Sequence, residues 1–404
     1  MTITRTDTAR LMIWFAFLIY FIRFCYMRVN KPFTPNPLFP SAFISGNTIN
    51  TTSNMMNMAM LVALLVASIA AIIRYWRAPN SGIVGFLAIV LMGFGMFWML
   101  NLPSGMRLAD AINNSGVSSM CFIIAFTMFI GYDEQVWNDV LNAIFVLCAG
   151  FTAVALFETV RFVSEYGFSV RLLTSAAVYS ITHAMLLMYA NLLFNKNSVG
   201  NYFVLTFVEI VTLTVLSLIL QSRSWSVHGV ILLLIFVFKV SNRFKQKLFV
   251  RVCIFILIAM LIAVFWNYLA LFTSSISNRM NSDSRSGQLM AFFSQVSMRD
   301  LLFGQGIDAS YFVFGTQYQY LDNLVLLTMF KYGAVPTLIY VILLIVPIVY
   351  GLSYKRSMSR PMAPFMLAWL ASMLGFSIYV SFAINIYNVV AYILIGRFFA
   401  LYRS

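Results

Sequence analysis

The chain has 404 residues, 61% of them hydrophobic and only 9% charged. Soluble domains carry roughly 25% charged residues, so a soluble fold is excluded and an all-α, polytopic membrane bundle is expected. The formal net charge is +14, from 26 Lys and Arg against 12 Asp and Glu. In a membrane chain this reflects the Lys/Arg excess of cytoplasmic loops and does not point to nucleic acid.

The N-terminal MTITRTDTAR leads into an apolar run near 11–27 whose far end carries Arg23 and Tyr26 rather than a small-residue cleavage site. It reads as an uncleaved first span. Further apolar runs fall near 56–73, 82–100, 117–132, 139–160, 172–194, 201–220, 227–240, 248–272, 334–351, 362–380 and 383–400. About twelve spans are therefore expected, since roughly 17–25 apolar residues cross a bilayer. The run 227–240 is short and calls for little tilt, a thinned bilayer or an extension into its flanks. The apolar stretch 322–333 is expected as an added helix before the tenth span. The whole chain, 1–404, is expected to form one membrane domain with a large loop at 273–321.

With a cytoplasmic N-terminus, the dense basic clusters Arg74–Arg77, SNRFKQK (Ser241–Lys247) and YKRSMSR (Tyr354–Arg360) fall on the cytoplasmic side with both termini, as the charge bias of insertion requires. GYDEQVWND falls there too and carries only acids. The opposite side receives 28–55, 101–116, the segment Arg161–Arg171, the tight turn QSRSW (Gln221–Trp225) and the 273–321 loop. These hold Arg107, Arg161, Arg171, Arg223, Arg279, Arg285 and Arg299. Arginine there runs against the insertion bias, and its planar fork suits phosphate or carboxylate. The alternative for each is a solvated guanidinium or a pair with an acid such as Glu165, Asp283 or Asp300.

The four cysteines, Cys25, Cys121, Cys148 and Cys253, sit in or at the ends of apolar runs without CxxC spacing, so neither a disulfide framework nor a cysteine metal site is expected. HExxH, DxD, P-loop and GxSxG patterns are absent from the sequence, and no cofactor is expected. His183 lies inside the sixth span and reads as a buried, hydrogen-bonded core histidine. His228, just inside the eighth span, is a candidate for the same site as Arg223. The acids of the outer half include Glu158 and Asp322. Ser284–Met298 reads as an amphipathic helix through Leu289, Phe292, Phe293 and Val296, started by Asp283 or Ser284. Arg285 and Gln288 share a face near its N-terminus, where a phosphate would be favoured. Arginines, a few acids and many aromatics suit transfer from a lipid-linked, phosphate-bearing donor, with a carboxylate taking a hydroxyl proton.

Several segments together resemble the O-antigen polymerase and ligase superfamily of bacterial surface polysaccharide assembly. LQSRSWSVHGVILLL (Leu220–Leu234) is similar to its Ser-Arg motif. DSRSGQLMAFFSQV (Asp283–Val296) followed by LLFGQGIDAS (Leu301–Ser310) resembles its large periplasmic loop, an arginine-led helix and then an FGxG turn. YLDNLVLLTMFKYGAVPTLIY (Tyr320–Tyr340) is similar to the stretch that opens with His-Asn in ligases; Asp322 stands here before Asn323. VRLLTSAAVYSITHAMLL (Val170–Leu187) loosely resembles an upstream arginine-led span.

The resemblance implies a bundle of about twelve helices in the bacterial inner membrane, with a periplasmic active site. It implies metal-independent, inverting transfer of a glycan from undecaprenyl diphosphate to an acceptor hydroxyl. Arg223 and Arg285 would contact the diphosphate, assisted by Arg171 and Arg161. Arg279, Arg299, Gln288, Tyr320 and Asn323 complete the candidate substrate site. The proton acceptor remains open between Asp322, Glu158 and His228. Because Asp322 departs from the ligase histidine, a polymerase extending lipid-linked repeat units is expected ahead of a ligase acting on lipid A-core or a flippase. Membrane lipid and a chain-length-regulating co-polymerase are the further expected partners.

Overall fold

The structure is a computed structural model that describes residues 5–37, 42–113, 118–168, 170–196, 198, 200–242, 252, 284–353, 359–376 and 385–402. In chain order the helices are α1 (Arg5–Arg28), α2 (Thr51–Tyr75), α3 (Ser81–Leu100), α4 (Leu108–Asn113), α5 (Met120–Ile123), α6 (Glu134–Tyr166), α7 (Ala176–Phe194), α8 (Phe203–Ile219) and α9 (Arg223–Ser241). They continue as α10 (Ser284–Gln295), α11 (Met298–Phe303), α12 (Leu324–Tyr332), α13 (Ala334–Ser353), α14 (Ser359–Ala371) and α15 (Ile386–Leu401). Short strands interrupt them: β1 (Phe33–Pro35), β2 (Ala42–Ser45), β3 (Arg171–Thr174), β4 (Tyr311–Val313) and β5 (Thr316–Tyr318).

Among the described residues, seven helices are long and apolar enough to cross a membrane, within α1, α2, α3, α6, α7, α9 and α13. Shorter apolar helices lie at Met120–Tyr132, Phe203–Ile219, Pro361–Leu374 and Ile386–Leu401. The short run at 227–240 gains its length by extending back to Arg223. The run at 117–132 continues from α5 as a buried 3₁₀ segment, Ile124–Tyr132. Apart from residue 252, the expected span at 248–272 lies outside the described residues, as does Arg279. The stretch 322–333, expected as an added helix, forms α12 directly ahead of α13. The amphipathic helix ends at Gln295, because Ser297 opens α11 with a capping box to Asp300.

The chain forms two compact units. The first comprises Met1–Arg23, Ile49–Ala143 and Arg285–Ser404. One end of it is tied by charge. Arg10 pairs with Asp139, Arg74 Nη1 lies 2.9 Å from Asp133 Oδ2, and Arg397 Nη2 lies 3.8 Å from Glu134 Oε2. The acids of GYDEQVWND are thus met by arginines from α1, α2 and α15. Asn80, before α3, donates to the carbonyls of Phe399 and Tyr402 at the same end. At the other end Tyr20 donates to Asn385 (3.1 Å), and Trp98 Nε1, near the end of α3, donates to the Tyr332 carbonyl (3.0 Å). The segment from α10 to α12 therefore caps the end of this unit opposite the charge pairs. Gly131 and Gly396 let the 3₁₀ segment and α15 touch backbone to backbone. A Cβ on Gly396 would stand 1.7 Å from Met128 O.

The second unit comprises Phe24–Thr48 and Ile144–Ser284. Its sheet has the order β1-β2-β3, with β1 antiparallel and β3 parallel to β2. Phe33 and Phe43 pack on Phe162 and Tyr166 of α6. Helices α8 and α9 approach closely where Gly229 meets Thr214.

Candidate active site in the polar cap

The cap is built on α10. Phe292 is fully buried and meets Tyr311 and Phe330 edge-on, with centroids 5.2 and 5.3 Å apart. Gln295 uses both ends of its amide on β4: Nε2 donates to Phe312 O and Oε1 accepts from Phe312 N, both at 2.8 Å. Strands β4 and β5 pair antiparallel around a two-residue tip, Phe314-Gly315, with φ of 53° and 78°. Two positive φ values suit the twist of a tight hairpin, although an aromatic residue rarely takes that conformation.

The GQG turn has a structural use that the sequence did not disclose. Gln305 N–H donates to Phe330 O at 2.9 Å and Gly306 N–H to Lys331 O at 2.8 Å. These amides are bound to α12 and do not form a phosphate cradle. Gly304 and Gly333, both at positive φ, cross in direct backbone contact. Lys331 is buried beneath the turn, and its ammonium donates to the Ile307 carbonyl. Burial pulls that ammonium down to about 8, against the opposing pull of Asp308.

The predicted residues Gln288, Tyr320, Asp322 and Asn323 come together at the start of α12. Gln288 is buried; its Nε2 donates to Tyr320 O (3.4 Å) and its Oε1 accepts from Asp322 N (3.3 Å). The Tyr320 carbonyl also accepts from Tyr311 Oη at 2.7 Å. Asn323 caps α12, its Oδ1 accepting from Leu326 N at 3.1 Å. The backbone that presents Asp322 is therefore fixed on both sides, and the Asp322 side chain is half-buried. Burial, reinforced by the Asp322 charge, raises the Tyr318 phenol to about 12. Burial, then Tyr318 and Asp322, also pushes the Tyr311 phenol upward. Both phenols stay protonated at neutral pH: Tyr311 donates its proton to the Tyr320 carbonyl, and Tyr318 keeps a donor near the Asp322 carboxylate.

Arg285 stands in the first turn of α10 and Arg299 is exposed on α11. In the second unit, the fully buried Glu158 has both oxygens engaged. Oε1 accepts from Asn30 N (2.6 Å); Oε2 accepts from Arg161 Nη2 (2.6 Å) and Nε (3.2 Å). Arg161 also donates to Lys31 O at 2.7 Å and lies over the Phe33 ring. This pair anchors the chain leaving α1. Arg171 opens β3, half-exposed and in register with Ala42. Arg223 opens α9 after Gln221, whose φ is 54°. His228 is buried, with Nδ1 2.9 Å from Tyr189 Oη and its ring against Trp225. His183 is a core histidine, its Nδ1 2.6 Å from Tyr179 O.

Sequence reasoning missed Tyr311, Tyr318 and Gln295. The signal was the alternation YFVFGTQYQY around Phe-Gly, a hairpin pattern. Among the described residues, no group of three or more His, Cys, Asp or Glu is placed to hold a metal ion. Comparisons of the chain with protein-family models, with curated proteins and with solved structures find no match.

Proposed function

We propose that this chain is a glycan polymerase of the extracytoplasmic membrane face. It transfers a growing glycan from undecaprenyl diphosphate to a hydroxyl at the non-reducing end of another lipid-linked repeat unit. The order of the Ser-Arg, FGxG and Asp-Asn segments supports the substrate class. The observation that carries the reading is Asp322, held by Gln288 at the start of α12 beside the protonated phenols of Tyr311 and Tyr318.

In this reading Asp322 takes the proton of the acceptor hydroxyl as its oxygen attacks the anomeric carbon. The bond from that carbon to the diphosphate oxygen breaks with inversion, and undecaprenyl diphosphate leaves. Arg285 neutralises the departing charge, as a guanidinium does best with phosphate oxygens. Tyr318 and Tyr320 offer rings and phenols to sugar hydroxyls, while the buried Tyr311 spends its proton on the Tyr320 carbonyl and holds that backbone in place. Glu158 and His228 are weaker choices for the proton acceptor: both Glu158 oxygens are engaged, and His228 Nδ1 faces Tyr189. A chain-length-regulating co-polymerase remains a proposed partner.

The test is Asp322→Asn, purified and folded, given lipid-linked repeat units. Loss of chain extension is expected; turnover equal to the unaltered protein removes Asp322 as the base.

A further inference from the structure

Helix α11 carries an apolar face that the cap leaves uncovered. Leu301 is buried, whereas Met298, Leu302 and Phe303 are 70%, 49% and 72% exposed. Residues 298, 302 and 303 fall within one half of the helix circumference, and the exposed Arg299 projects from the same half, one turn before Leu302 and Phe303.

The height of this face is fixed by backbone contacts. The carbonyls of Leu302 and Phe303 lie 2.9 and 3.1 Å from the position of a Cβ on Gly333. The membrane-long helix α13 starts at the next residue, and its first turns expose Val335 and Leu338. On a neighbouring element, the Trp98 ring lies 3.8 Å from a Cβ on Gly306, and α3 ends there with Phe97 and Leu100 exposed. The exposed side of α11 thus stands within a few residues of the apolar ends of two helices long enough to cross a bilayer.

We propose that α11 lies in the boundary between headgroups and acyl chains of the leaflet the cap faces. Met298, Leu302 and Phe303 enter the acyl region and Arg299 reaches lipid phosphates. A short helix with an apolar side sits at that depth, and an arginine on that side lays its stem along its apolar neighbours and extends its charged end to the headgroups. The bilayer then braces the same turn that carries Gly304, and the cap keeps a fixed height above the membrane.

The test uses full-length protein in nanodiscs of phosphatidylethanolamine and phosphatidylglycerol. Cys25, Cys121, Cys148 and Cys253 are replaced by alanine, and single cysteines at Phe303→Cys or Gln317→Cys carry an environment-sensitive fluorophore. At position 303, lipids with a doxyl group near the head of the acyl chain should quench emission about two-fold or more, while aqueous iodide quenches far less than at 317. Iodide quenching at 303 equal to that at 317 overturns the proposal, as does protection from both quenchers, which would mean a protein cover. Should the cysteine-free protein not fold, a photoreactive phospholipid is applied to the unaltered protein. Cross-links within residues 298–303 are expected, and their absence there beside cross-links on α3 and α13 overturns it.

Discussion

Gly304→Ala should loosen the cap. An alanine Cβ there would stand 2.7 Å from the Gly333 nitrogen and the Tyr332 carbonyl carbon, and 2.8 Å from the Lys331 oxygen. All three are backbone atoms in a segment tied by the bonds from Gln305 and Gly306, so no side chain can swing aside. The backbone angles at Gly304, φ 79° and ψ 157°, fall in a region that is essentially glycine-only and costs other residues about 1–3 kcal/mol. Overpacking adds about 1–3 kcal/mol. A total of about 2–6 kcal/mol is large against the ~5–15 kcal/mol that holds most folds together. Gly287 on α10 is the control: a Cβ there meets nothing within 4 Å, and a helical Gly→Ala change gains up to about 1 kcal/mol. Thermal unfolding and limited proteolysis of full-length protein in nanodiscs compare the two. Gly304→Ala should melt earlier and be cut within 304–323, with chain extension lost. Behaviour matching Gly287→Ala would refute the backbone crossing as the element that seats the cap.

Arg161→Ala strands a fully buried carboxylate with only the Asn30 amide, and loss of one partner of a buried pair costs about 3–5 kcal/mol. Thermal unfolding should show that loss, and the double change Glu158→Leu with Arg161→Met should recover most of it. Stability that survives Arg161→Ala would return Glu158 to the list of proton acceptors. Lys331 gives a pH signature: its folded value is about 8 against an ordinary 10.5. Between those values the unfolded chain binds more protons, so stability should rise with pH, while below pH 8 the cost of burying the charge is constant. Lys331→Met should remove that rise, and an unchanged profile would contradict the buried ammonium. Arg285→Ala should slow chain extension roughly 10- to 150-fold, because charge-assisted hydrogen bonds contribute about 1.5–3 kcal/mol and each decade takes 1.36 kcal/mol. Arg223→Ala is measured separately in the same assay, and an unaltered rate in either variant removes that arginine from the diphosphate site.

Hydropathy made the long helices legible, because an element surrounded by lipid must be apolar over a length set by the bilayer. It was less informative for Ile124–Tyr132, where every residue is buried inside the first unit and apolar content reports packing as readily as crossing. The short strands escaped notice: β1, β2 and β3 have three or four residues each, too few for a clear alternation. Gln288, Tyr320, Asp322 and Asn323 were legible as a group through motif order and helix spacing. The uses of Glu158 and Gly304 were not. Glu158 pairs with Asn30, 128 residues away, and Gly304 serves Gly333 across a chain reversal. Neither contact leaves a local pattern.

The most direct measurement is turnover by the purified, full-length chain in nanodiscs supplied with a defined undecaprenyl-diphosphate-linked repeat unit. A ladder of lipid-linked glycans of two or more repeats is expected, with one undecaprenyl diphosphate released per linkage and extension abolished by Asp322→Asn. Starting material recovered unchanged by protein that unfolds cooperatively, or repeats moved across the bilayer without a new glycosidic bond, would contradict polymerase activity.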